Sequence, residues 1–289
     1  MSHSFSTDEN SALTPADPKR RRVLVTGAAG RIGSYFARNS HQKYDLRLMT
    51  QESNDDSRAI EEFGEIVTCD LADLDRLKEI CAGIDTVLHL AGNPSGAQTW
   101  SRVLENNIVG TYNVMVAAKF AACRRVIYAS SIHAVSGYPP DVQVKTSEPV
   151  NPGDLYGVSK CFGEALGRYM STQEGLSVVA LRIGGFQPPE TARKPDLKFM
   201  SAWVSQRDLN QLIEKSIDAQ GLQFAILHGL SDNHFKRLDI SDARELVGYA
   251  PQDDFARENP LLKELPLDEI ETSSQRDGTQ SGLREELQP

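Results

Sequence analysis

The feature that most constrains this chain is a short run near its N-terminus. Val23-Leu24-Val25-Thr26 is apolar and β-branched, and it passes at once into Gly27-Ala28-Ala29-Gly30-Arg31-Ile32-Gly33 and a helical stretch to about Asn39. Strand, glycine-rich turn and helix in that order open a βαβ unit. Glycines at these positions let backbone amides approach a pyrophosphate, whose charge the helix N-terminus favours. Gly27, Gly30 and Gly33, with Arg31 and Ile32 between them, are therefore candidate dinucleotide-binding residues. The plainer alternative is a tight turn in which Gly33 merely lets the helix pack on the sheet.

The alternation continues along the chain. Leu46 to Met49, Ile66 to Cys69, Thr86 to Leu90, Val126 to Ala129 and Val178 to Leu181 read as buried strands, and Leu74, Leu77, Ile80 and Cys81, or Val109, Val114 and Ala117, show helical spacing between them. This predicts an α/β fold, a Rossmann-like doubly wound parallel sheet with helices on both faces. After Leu181 the pattern loosens. Gln187 to Pro195 reads as a long loop, Leu209 to Ile217 as a helix, Phe224 to Leu227 as a strand, and Ser241 to Val247 as a helix closed by Gly248. That is enough for a small C-terminal substrate lobe from about residue 184, within a single body spanning 23–265. The polar stretches 1–22 and 266–289 are predicted to be disordered tails.

Composition agrees with one large folded body. Of 289 residues 39% are hydrophobic and 25% charged, and 21 Gly with 14 Pro exclude collagen-like and low-complexity readings. The net charge of −9 makes a poor general surface for nucleic acid. Lys19 to Arg22 is read as a solvated flank before the first strand, and the six acids facing Arg276 and Arg284 beyond Pro266 as an acidic tail. No segment has the apolar length of a membrane span, and residues 1–18 lack the apolar stretch of a signal peptide. Cys69, Cys81, Cys123 and Cys161 form no Cys-x-x-Cys pair, so neither a zinc site nor a disulfide framework is suggested, and a reducing cytoplasm fits best. His228 and His234 have no helical ligand spacing, and no metal site is expected.

A second constellation carries chemistry. Tyr156-x-x-x-Lys160 places a phenol and an ammonium on one helix face, and Ser131 stands earlier at the end of a strand. A positive charge nearby is expected to lower the tyrosine pKa from about 10, so that Tyr156 exchanges a proton while Ser131 holds the substrate oxygen. Alone this spacing is common. Combined with the glycine turn some 125 residues earlier, it points to proton transfer beside a hydride acceptor.

These residues resemble the extended short-chain dehydrogenase/reductases, in their NAD-dependent epimerase/dehydratase branch. Thr26 to Gly33 is similar to the glycine motif of that branch, and Leu155-Tyr156-Gly157-Val158-Ser159-Lys160 to its active-site motif. The resemblance implies that Asp70 and Leu71 face the adenine, that Leu90, Ala91 and Gly92 line the cofactor, and that Asn107 supports the site. A narrower resemblance, carried by Ser130 to Val135, Leu155 to Glu164, Arg182-Ile183-Gly184, Trp203 to Asp208 and Gly229 to Asn233, is to uronate dehydrogenases and the related archaeal NAD-dependent glucose-6-phosphate dehydrogenases. It implies oxidation of the anomeric carbon of a free, anionic aldose to a lactone, with Ser95, Ile132, His133, Arg182 and Lys198 on the sugar side. Ile132 departs from that family's usual Asn. Lys198 stands where the uronate enzymes have Arg.

Dehydratases of the branch carry an acidic pair after the strand-end hydroxyl, where this chain has Ile132 and His133. The roughly 110 residues between Tyr156 and the polar tail leave little chain for a second nucleotide pocket. A nucleotide-sugar epimerase or reductase and a dinucleotide-sensing module without turnover are the rival readings. An anionic sugar needs a fixed cation, for which Arg182 and Lys198 are the candidates. Thr50 occupies the place of the acid that binds the adenosine ribose, Glu52 follows two residues on, and Arg31 is a candidate for a 2′-phosphate, so NAD is expected with NADP as the alternative. His89 is read as a packed core residue, and Trp203 as either a sugar platform or an anchor of the lobe. Val109 to Phe120 is apolar enough to serve a homo-oligomer.

Overall fold

Short strands whose alternate residues face opposite ways build two cores at once. A computed structural model describes residues 20–94 and 99–263. Its strands are β1 (Arg22–Thr26), β2 (Asp45–Thr50), β3 (Glu65–Thr68), β4 (Thr86–His89), β5 (Arg125–Ser131), β6 (Ser177–Ile183), β7 (Gly185–Gln187), β8 (Trp203–Ser205) and β9 (Phe224–Gly229). Seven of them form one parallel sheet in the order β3-β2-β1-β4-β5-β6-β9, and β7 pairs with β8 in a separate parallel pair. The helices are α1 (Arg31–Ser40), α2 (Asp55–Arg58), α3 (Leu74–Ile80), α4 (Trp100–Arg102), α5 (Gly110–Phe120), α6 (Leu155–Thr172), α7 (Pro189–Ala192), α8 (Gln206–Asp218), α9 (Ser241–Val247) and α10 (Phe255–Glu258).

Val23, Val25, Leu46, Leu48, Ile127 and Val179 pack against α1, α8 and α9. Their neighbours Leu24, Val87, Val126, Tyr128 and Val178 pack against α3, α5 and α6 on the other face. Because strand side chains alternate, each strand is apolar on both sides, as a sheet covered by helices requires. After β3 the chain crosses to the far side of β1, so strand order reverses between β1 and β4. A crevice at the carboxyl ends of the strands follows from that reversal.

Two expectations need correction. Arg20, Arg21 and Arg22 are not a solvated flank: Arg20 donates to the carbonyls of His41 and Tyr44, Arg21 pairs with Asp85 at 3.1 Å, and Arg22 with Asp45 at 2.9 Å. Acids at the amino ends of β2 and β4 draw the basic run onto the sheet. The rest of the expected tails, 1–19 and 264–289, lies outside the described residues. The stretch from Gln187 to Pro195 is not wholly loop, since it contains α7. Trp203 is fully buried, edge-on to Phe255, and so anchors the lobe. Gly248 closes α9 in the left-handed conformation, φ +68°.

Helix α6 lies close on β5 because Gly163 has no side chain. A Cβ there falls 2.2 Å from Cζ of Tyr128, which is buried and cannot retreat. Gly163→Ala is therefore expected to destabilise the fold by about 1–3 kcal/mol through overpacking. A thermal melt checks this, and a melting temperature equal to wild type contradicts the close seat of α6.

Candidate active site

The carboxyl ends of the central strands open into one cleft of about 2370 Å³. Gly27 holds φ +67°, and a Cβ there falls 2.9 Å from Ala91 backbone atoms. At Gly33 a Cβ falls 2.5 Å from the Gly27 carbonyl oxygen, so the turn and α1 close on each other only as glycines. Gly30 caps α1 without a side-chain bond, and the first turn of α1 carries no acid. Its positive end is thus free to meet an anion. Gly27, Gly30, Arg31, Ile32 and Gly33 all line the cleft. This cradle fits a dinucleotide pyrophosphate.

At the ends of β2 and β3 the cleft is lined by Thr50, Gln51, Cys69, Asp70 and Leu71. Thr50 donates its hydroxyl to the Glu52 carbonyl at 3.1 Å, and the Glu52 carboxylate accepts from Asn54 at 3.3 Å. The Asp70 carboxylate accepts from the Ala72 amide at 2.8 Å, which fixes the turn after β3. Arg31 reaches across to the Phe186 carbonyl on β7, with its guanidinium 5.9 Å from that ring.

Leu90, Ala91 and Gly92 continue the lining past β4. Asn107 does not reach the cleft. It is 1% exposed, within a π-helical stretch, Val103–Val109, that joins α4 to α5. Its carbonyl oxygen accepts from the Asn93 amide at 2.8 Å, and its amide donates to the Asn93 carbonyl and to the Ser159 hydroxyl, both at 3.1 Å. It therefore acts through the turn after Gly92 and through α6. His89 is buried between Thr26 and Thr111, and burial lowers its pKa to about 3.

Ser131, Tyr156 and Lys160 meet in the same cleft. Lys160 Nζ lies 5.4 Å from the Tyr156 ring centroid and 5.1 Å from that of Tyr128. The expected depression of the Tyr156 pKa is not found. Burial pushes it up to about 12, the Ser131 hydroxyl pulls it down, and the Asp154 carboxylate raises it. Desolvation also lowers Lys160 to about 8. Burial prevails with the Lys160 ammonium 5.4 Å from the ring centroid, so Tyr156 rests as a phenol.

The sugar-side candidates separate. His133 and Ile132 line the cleft beside Tyr156, and the two rings of His133 and Tyr156 stand edge to face at 5.2 Å. Lys198 is exposed in the cleft wall, with no acid in ion-pair range among the described residues. Ser95 lies outside the described residues. Arg182 is a correction. It is 1% exposed, it donates from Nε and Nη2 to Glu164 at 2.9 and 2.8 Å, and it does not line the cleft. Its charge is spent on a buried carboxylate and is not offered to a substrate.

Three residues of this arrangement escaped the sequence reading. Asp154 immediately precedes Leu155 and carries the N-cap signal of α6; its carboxylate accepts from the Gly157 amide at 2.7 Å and stands 2.7 Å from His133 Nδ1. Glu164 follows Lys160 by four residues on the same helix face and also accepts from Ser130 at 2.6 Å. Asn93 gave no sequence signal.

A profile of the NAD dependent epimerase/dehydratase family matches residues 23–245. The chain belongs to that family. Among its relatives is an NAD-dependent glucose-6-phosphate dehydrogenase of Haloferax volcanii, 35% identical over 264 residues, which cover 86% of this chain and 98% of the relative. An L-arabinose 1-dehydrogenase (NAD(P)(+)) of the same organism is 33% identical, covering 81% of this chain and 98% of its own. A uronate dehydrogenase from Agrobacterium tumefaciens, solved with NAD as a tyrosine-to-alanine mutant, is 32% identical with a TM-score of 0.75, covering 86% of this chain and 91% of that one. The family's NAD chemistry accords with the glycine cradle and with the meeting of Ser131, Tyr156 and Lys160 in one cleft.

The buried Lys160 makes a stability prediction. Between about 8 and the ordinary 10.5 the unfolded chain holds a proton that the folded chain has released, so wild-type stability rises with pH across that window. Cofactor-free Lys160→Met is expected to melt higher than wild type at pH 7, by a margin that narrows as pH climbs from 8 toward 10.5. Equal melting temperatures across the range contradict it.

Proposed function

We propose that this enzyme oxidises the anomeric carbon of a free, anionic aldose, a uronate or a sugar phosphate, to its lactone. The observation that carries the reading is the joining of Ser131, Tyr156 and Lys160 to the glycine cradle in one cleft, with Ile132 and His133, not acids, following Ser131. NAD supplies the hydride acceptor when bound. Ser131 orients the anomeric oxygen, Tyr156 Oη takes its proton, and Lys160 holds the cofactor ribose. Thr50 presents no carboxylate against a 2′-phosphate, so NADP is kept as the alternative cofactor.

With Arg182 committed to Glu164, Lys198 is the one of the two expected cations that stays in the cleft wall for the substrate anion. Lys236 pairs with Asp232 at 3.0 Å, and Arg237 donates to the Tyr138 and Val142 carbonyls. A lysine is a point charge without a bidentate fork, so carboxylate and phosphate suit it alike. The test is reduction of NAD and NADP against galacturonate, glucuronate, glucose 6-phosphate and neutral aldoses. Tyr156→Phe is expected to keep cofactor binding and lose turnover by about 10²-fold or more. Lys198→Met is expected to raise KM for the anionic sugar by about 10-fold and leave neutral aldoses unchanged. Silence across the panel with NAD bound contradicts the reading.

Assembly into homo-oligomers is part of the proposal. Trp100, Leu104 and Tyr112 along α4 to α5, with Val158 and Tyr169 on α6, are exposed apolar residues on the helices beside the site. A monomer mass by light scattering at working concentration refutes it. Among the described residues no helix is long and apolar enough to cross a membrane, and a cytoplasmic setting remains our reading from the cysteine pattern.

A further inference from the structure

We infer that Asp154 is a positioning residue that fixes the tautomer of His133, so that His133 Nε2 accepts a hydrogen bond from a hydroxyl of the bound sugar beside its reacting carbon. The inference rests on the sugar-oxidising reading above for its ligand, and on geometry alone for the tautomer.

The Asp154 side chain is 6% exposed and does two things at once. One oxygen accepts from the Gly157 amide at 2.7 Å and caps α6, the helix that carries Tyr156 and Lys160. The other stands 2.7 Å from His133 Nδ1. A carboxylate can only accept, so Nδ1 carries the proton and, in the neutral ring, Nε2 carries the lone pair. The backbone is fixed as well, because the His133 amide donates to the Ser131 hydroxyl at 3.2 Å. The imidazole keeps 31% of its side-chain exposure, lines the cleft beside Tyr156, and makes no hydrogen bond at Nε2 among the described residues. An acceptor nitrogen next to the proton-transfer tyrosine selects for a ligand that brings O–H donors. A sugar ring does so at every free hydroxyl, whereas a ketone or carboxylate brings only acceptors.

The experiment is ¹⁵N NMR of the imidazoles in the full chain, with His133→Gln assigning the His133 signals. Wild type is expected to show a protonated Nδ1 and a bare Nε2. In Asp154→Asn the amide oxygen can keep the cap while the NH₂ can only donate to Nδ1, so the tautomer is expected to invert. The same variant should raise KM for whichever panel sugar wild type oxidises by about 10-fold or more, as loss of an orienting partner does. NAD affinity, read by fluorescence titration, should stay within about twofold, since Asp154 does not line the cofactor cradle. Asp154→Ser keeps a capping oxygen, frees Nδ1, and should give mixed tautomers with an intermediate KM should the asparagine variant fail to fold. A wild-type proton on Nε2, or inversion with unchanged KM, overturns the proposal. Inversion as expected with no sugar oxidised by wild type overturns the functional reading, and with it the sugar hydroxyl assigned to Nε2.

Discussion

The geometry of the site depends on how α6 is seated on β5 and β6. A buried ion pair fixes that seat. Glu164 on α6 meets Arg182 on β6 through two hydrogen bonds, with 3% and 1% of their side chains exposed, and takes a third from Ser130 on β5. Removing one partner of such a pair strands the other charge in the core, which costs about 3–5 kcal/mol. Ser130 lies opposite Arg182 in the register, and Ser131 is the next residue. The pair thereby sets the height at which the strand-end hydroxyl stands against Tyr156 and Lys160, two turns and one turn earlier on the same helix.

Around that seat, the two halves of the cleft are built by different means. The half at the glycine turn is made of backbone: glycines at which a Cβ would fall 2.5 to 2.9 Å from neighbouring backbone atoms, and an uncapped helix end. The half around Tyr156 and His133 is backed by side chains tied to one another behind the lining, with Asp154 linking the start of α6 to His133 and Asn107 linking Asn93 to Ser159. Tyr156 sits where the halves meet, and its burial keeps the proton on the phenol until the environment changes. A dehydrogenase gains from this arrangement, because a dry site strengthens every fixed dipole that faces the reacting oxygen.

Much of this was legible in the sequence. The run from Val23 to Gly33 specified the strand, turn and helix; apolar runs specified six of the seven sheet strands within a few residues, and Phe224 to Leu227 the seventh. The Tyr-x-x-x-Lys spacing located the helix face that reaches the cleft. What failed were readings of charge, since a sequence does not show partners. Arg182 looked available for a substrate, yet Glu164 lies one strand-to-helix contact away. Arg20 to Arg22 looked solvated, yet Asp45 and Asp85 gather two of them at the amino-terminal end of the sheet. Lys160 looked close enough to ionise Tyr156, yet desolvation prevails at the distance observed.

The central claim is that a hydride leaves the anomeric carbon and does not return. Incubation with NAD and an aldose deuterated at that carbon, followed by mass analysis of cofactor and sugar, tests it most directly. The account predicts deuterium in the reduced nicotinamide and a lactone without it. Deuterium retained in an isomerised sugar, with no net reduced cofactor, contradicts the account and makes the chain an epimerase.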